Sequence, residues 1–168
     1  MDILKISLEW AKEEVFSSAF FILFGFIFIG ATIAFWQMGK TPIAIAFIYP
    51  TLVAGSLLLI IGLGLVYSNQ SRLRTFETTY QNDASFFIQE EISRAEHTIK
   101  EYETVVFRII PVIIIVAAGL IIFLDSPIWR AISITTIAMM VVILSIDSQA
   151  HARMKVYQEN LGKAHSQF

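Results

Sequence analysis

Three histidines and a few acidic residues are the side chains of this sequence whose types and spacing raise the question of chemistry. His97 and Glu101 stand four residues apart, which places them on one face of a helix. His151 can approach them from a later helix, and Asp147 closes an apolar stretch. Together these four would be the raw material of a metal site or an acid–base relay. A metal, however, needs three or four converging ligands held by a second shell, and two residues on one helical face do not supply them. No catalytic residue, cofactor site or metal site is therefore expected. Cysteine is absent from the sequence, which excludes disulfides, thiolate metal sites and thiol nucleophiles. No nucleophile–base arrangement or phosphate-cradling glycine loop is readable. A net charge of −2 gives no basic field for nucleic acid.

The elements that must carry these residues are dominated by lipid-like sequence. Hydrophobic residues make up 56% of the chain and mean hydropathy is +0.68, well above soluble proteins. That excess is gathered into four blocks almost free of charge, as a bilayer demands, because a charge at the hydrocarbon centre costs at least about 2.5–3.5 kcal/mol. The first block runs from Val15 to Trp36, the second from Ile43 to Tyr67, the third from Val105 to Leu124 and the fourth from Ile128 to Ile146. Each is long enough to cross roughly 30 Å of hydrocarbon. Gly39 and Pro42 break the chain between the first two, Asp125, Ser126 and Pro127 between the last two. Pro50 is expected to kink the second. Serine and threonine (Thr32, Ser56, Thr135, Thr136, Ser145) are the main polar groups inside the spans, and such hydroxyls usually bond to backbone carbonyls. Arg108 and Arg130 read as snorkelling anchors.

The fold class expected is all-α: a polytopic membrane protein with four transmembrane helices arranged as two hairpins, residues 15–67 and 105–146. Lysine and arginine accumulate in cytoplasmic segments. Ten of the twelve, from Lys5 to Lys163, fall in the termini or the central polar segment, leaving Lys40 and Arg130 opposite. Both termini and the middle segment are thus expected in the cytoplasm, with the chain in the inner (cytoplasmic) membrane of a cell.

Residues 68–104 contain neither Gly nor Pro and carry two helical seams. Val66, Asn69, Leu73, Phe76 and Tyr80 form one; Ile88, Ile92, Ala95, Ile99, Tyr102 and Val106 form the other. Asn82, Asp83 and Ser85 favour a reversal between them. Helices 2 and 3 are therefore expected to extend out of the membrane as an antiparallel coiled-coil hairpin. Its register would pair Phe76 with Ile92, Leu73 with Ala95, Asn69 with Ile99 and Val66 with Tyr102. At the tip and along the outer acidic face, Phe86, Phe87, Glu90, Glu91 and Arg94 are the candidate partner-binding residues.

Residues 1–14 read as an amphipathic helix that lies on the inner leaflet or bends into the first span, with Ile3, Leu4, Leu8 and Ala11 on one face and Trp10 suited to the headgroups. Residues 147–168 read as a helical tail with Met154, Tyr157 and Leu161 in one stripe, able to pack beside the hairpin. Small residues mark close helix approach: Gly30 with Ala34, Gly55, Gly62, Ala117 to Gly119, and Ala131 with Thr135. A homo-oligomer is expected. The function expected is a non-enzymatic scaffold or sensor subunit that docks a cytosolic protein through the hairpin, as in envelope-stress, phage-defence or toxin-immunity systems. The alternative is an oligomeric pore or small-solute channel.

Overall fold

A computed structural model describes residues 3–165. Among these residues every regular element is helical. Helix α1 spans Ile3–Met38, the short α2 spans Pro42–Ala46 and α3 spans Ile48–Asn82. Helix α4 (Ala84–Glu101) passes through a π-helical segment, Tyr102–Ile109, into α5 (Ile110–Phe123), and α6 covers Pro127–His165. Four of the resulting rods are long and apolar enough to cross a membrane.

The breaks follow local chemistry. Thr41 caps α2, its hydroxyl accepting from the Ala44 amide at 3.2 Å, and Pro42 takes the first helical turn, where a missing N–H costs nothing. Pro50 lies in the first turn of α3 for the same reason. The bend it was expected to impose falls at Phe47, between α2 and α3, because Pro50 has no N–H to carry a helix back through that point. Asp83, in an extended conformation, ends α3 and caps α4 by accepting from the Phe86 amide at 2.9 Å.

Two cores stack along the rods. In the apolar one, Phe21 of α1, Leu58 of α3 and Ile146 of α6 are buried together. Helices α1 and α3 approach closely here. A Cβ on Gly62 would lie 2.9 Å from the Ile22 backbone nitrogen, and one on Gly55 would lie 2.9 Å from the Gly25 carbonyl oxygen. Thr32 and Thr51 share a hydrogen bond of 2.9 Å across the same seam. Gly30, expected at a contact, faces open space. Around this core the outward side chains are those a hydrocarbon solvent accepts: Phe16, Phe26, Ile60, Ile115 and Ile122 are all exposed.

The second core lies at the polar end of the rods and draws on four helices: Ile3, Trp10 and Ala11 of α1, Phe76 of α3, Phe87, Ile88, Ala95 and Ile99 of α4, and Met154, Tyr157 and Leu161 of α6. The two terminal segments and the middle segment are therefore at one end of the molecule. Residues 1–14 are expected to form a helix that lies on the lipid surface or bends into the first span. Their described part is the unbroken start of α1, its apolar face covered by α4 and α6. The seam residues of α3 and α4 likewise enter a four-helix core rather than a two-stranded zip. Phe76 meets Phe87 edge to face, ring centroids 5.3 Å apart, but below this contact the arms part and Asn69 and Tyr102 line a cavity between them. The physical reason is competition: Met154, Tyr157 and Leu161 of α6 offer Ile88, Ala95 and Ile99 a larger apolar partner than α3 does.

Candidate functional site

The polar groups of the second core converge on Tyr157. Burial in an apolar core requires such a hydroxyl to be bonded. It donates to Glu91 Oε2 at 2.7 Å and shares a hydrogen bond with Ser7 Oγ at 2.9 Å, the serine hydroxyl donating. Arg94 Nε bonds Glu91 Oε1 at 2.9 Å, and a second guanidinium nitrogen of Arg94 bonds Glu91 Oε2, completing a bidentate pair. The ring of Trp10 stacks on Tyr157 with centroids 4.8 Å apart, and the Arg94 guanidinium lies 4.5 Å from the Trp10 ring centroid. Burial and the Glu91 carboxylate push the Tyr157 phenol above its ordinary range, so it stays a hydrogen-bond donor. One network thus ties α1, α4 and α6 together.

A second tie lies nearer the spans. Arg153 Nε of α6 bonds Glu14 Oε1 of α1 at 3.0 Å, both side chains being largely buried. Lys155 and Glu103 link α6 to the π segment at 3.7 Å. His151 packs its ring edge-on against Phe107 and Tyr102. Desolvation and the Lys155 ammonium hold its imidazole below the ordinary histidine range, which makes it a neutral spacer.

Between the network and the apolar core is a cavity of about 660 Å³. All four rods line it, and the α3 wall and the α4–α5 wall change from apolar to polar in the same direction. On α3 the order is Ile61, Leu65, Asn69, Arg72; on α5, the π segment and α4 it is Ile113, Ile109, Tyr102, Thr98, Arg94. On α6 it is Met140, Ile143, Asp147 and then the apolar Met154. The cavity exists because, among the described residues, α5 packs on α6 and the π segment while α3 packs on α1, leaving a gap between the α3 wall and the α4–α5 wall. Pro111, in the first turn of α5, has no N–H to donate and crowds the preceding carbonyls, so the backbone widens over Tyr102–Ile109.

The residues expected to bind a partner are divided by this geometry. Phe86 is exposed at the tip and Glu90 is exposed beside it. Phe87 is 2% exposed, packed between Phe76 and Tyr80, and Glu91 is 7% exposed within the network. Arg94 is committed to Glu91 and Trp10. Phe87, Glu91 and Arg94 thus build the core and are corrected as surface contacts: α1 and α6 cover the helix face that a two-stranded hairpin would have left open. Of the four residues whose types suggest chemistry, His97 and Glu101 are 3.7 Å apart and both exposed, whereas His151 and Asp147 are half-buried on α6. Among the described residues no group of three potential metal ligands converges. The sequence reading missed the roles of Tyr157, Ser7, Glu14 and Arg72. Glu14 carried a signal, as a carboxylate at the edge of a span, and Pro111 was the signal for the widened π turn.

Comparison of the chain with protein-family models, with curated proteins and with solved structures gave no match, so the functional reading rests on this geometry.

Proposed function

We propose that this protein is a non-enzymatic membrane scaffold or sensor subunit, with both termini and the middle segment in the cytoplasm. Its spans would hold a cytoplasmic four-helix head that presents Phe86 and Glu90 to a soluble protein. The observation that carries this reading is the continuity of the rods. The three rods that make the apolar core, α1, α3 and α6, each enter the polar core as well, where α4 joins them; Glu14–Arg153 ties the two ends of the chain to each other and Tyr157–Glu91 ties α6 to the middle segment. A change in span packing is therefore passed to the head as a rigid shift rather than absorbed in loops. The tip belongs to the exposed end of that head, with one unburied aromatic, Phe86, one helical turn from the exposed carboxylate of Glu90.

Photo-crosslinking tests the docking role. A crosslinker at position 86 should give one discrete adduct with a soluble protein, and Glu90→Lys should reduce it at least tenfold. Adducts with lipid alone, or an adduct indifferent to Glu90→Lys, would remove the tip as a docking point. Reconstituted protein should also leave liposomes impermeable to small ions. Steady conductance would favour the oligomeric pore instead.

A further inference from the structure

We propose that the cavity between α3 and the α4–α5 wall is a binding site for a phospholipid, whose phosphate sits on Arg72 and whose acyl chains lie along Leu65, Ile109 and Ile113. The site names what the sensor of the preceding subsection would sense, and rests on that reading only for this consequence; binding itself is measurable without any partner.

Charge supports the assignment. In the lining, Arg94 is neutralised by Glu91, Glu14 by Arg153, and the exposed Glu101 faces His97. Arg72 is the lining cation without a carboxylate within ion-pair distance, its guanidinium bonded to Asn69 Oδ1 at 2.6 Å. A guanidinium presents five donors in a planar fork that matches phosphate oxygens, so one neutral acceptor leaves most of that capacity unused. Asp147, on the α6 wall, is the lining carboxyl without an ion-pair partner; burial and the Glu14 carboxylate raise its pKa to about 7, so it opposes a bound anion only to the extent that it is ionised.

Shape and polarity point the same way. The α3 wall and the α4–α5 wall that face each other both turn from apolar to polar along the rod axis, the profile of one amphiphile standing parallel to the helices. Eleven positions separate Ile61 from Arg72, roughly 16 Å at about 1.5 Å per residue, which is a chain-length trough with a cationic end. Its volume is within the range of about 300–1,000 Å³ common to small-ligand sites. The open side is also the one lipid would use. Leu65, Val105 and Ile109, which line the cavity, are 39%, 46% and 47% exposed. An apolar gap of this size left empty would forfeit the dispersion contacts of all its lining atoms.

The test is native mass spectrometry of the full chain in detergent. It is exposed in parallel to phosphatidylglycerol, to diacylglycerol of the same chains, and to inorganic phosphate. Phosphatidylglycerol should be retained at least tenfold more than diacylglycerol, and millimolar phosphate should not displace it. Arg72→Gln should abolish the preference. Ile113→Trp, which fills the trough, should reduce retention of both lipids, and Arg74→Gln, an exposed cation outside the cavity, should change nothing. Helical content and elution volume identify any variant that has failed to fold, and Arg72→Lys, expected to keep part of the preference, then replaces Arg72→Gln. Equal retention of phosphatidylglycerol and diacylglycerol, an unchanged preference in Arg72→Gln, or displacement by phosphate alone would each overturn the phospholipid assignment. The last outcome would identify an anion site without an acyl trough. Loss of docking at Phe86 with lipid binding intact would fault the scaffold reading and leave this site standing.

Discussion

At the scale of single residues, the core of the polar head is decided by where three ionisable groups are buried. Glu91 is tolerated inside because Arg94 neutralises it and Tyr157 donates to it, whereas a buried carboxylate stripped of such partners costs several kcal/mol. Tyr157→Phe removes one donor from a charged acceptor and leaves the rings stacked. It should lower unfolding stability by about 1.5–3 kcal/mol, measured by chemical denaturation in detergent. Arg94→Met, which leaves the charge uncompensated, should cost more, about 3–5 kcal/mol. Equal and negligible effects would mean that water reaches Glu91. Sequence reasoning put Glu91 on an outer acidic face because its neighbours on α4 gave no hint of burial. The residues that bury it, Trp10 and Tyr157, are more than 60 positions away along the chain in either direction. The choice between Phe86 and Phe87 was limited to one of the pair by helix geometry, and the contacts with Phe76 and Tyr80 select Phe87.

At the scale of elements, the contrast between two interfaces explains why one gap remains. Helices α1 and α3 touch through glycines, backbone close to backbone, whereas α5, rich in branched side chains, packs on α6 and the π segment and not on α3. Gly62→Val would drive a branched side chain into the backbone of Ile22. It should destabilise the protein by about 1–3 kcal/mol, read as a loss of thermal stability in detergent, while the same change at Gly64, which faces open space, should be nearly neutral. The apolar blocks, the break at Asp83 and the close approach at Gly55 and Gly62 were legible because each is written in local residue types. The partner of the α4 seam was not. An apolar stripe records that a helix face is covered but not which helix covers it, and Met154, Tyr157 and Leu161 formed an equally regular stripe at the other end of the chain.

At the scale of the whole molecule, the account rests on four crossings with residues 3–14, 68–104 and 147–165 at one end. The cysteine-free sequence makes this directly measurable, since each introduced thiol is unique. Phe86→Cys and Glu159→Cys, both at exposed positions of the polar head, should resist a membrane-impermeant maleimide in intact cells and react once the membrane is opened. Lys40→Cys and Asp125→Cys, exposed at the opposite end, should react in intact cells. Labelling of position 86 together with position 40 from the same side, or of positions 86 and 159 from opposite sides, would contradict the four-span head-and-bundle arrangement.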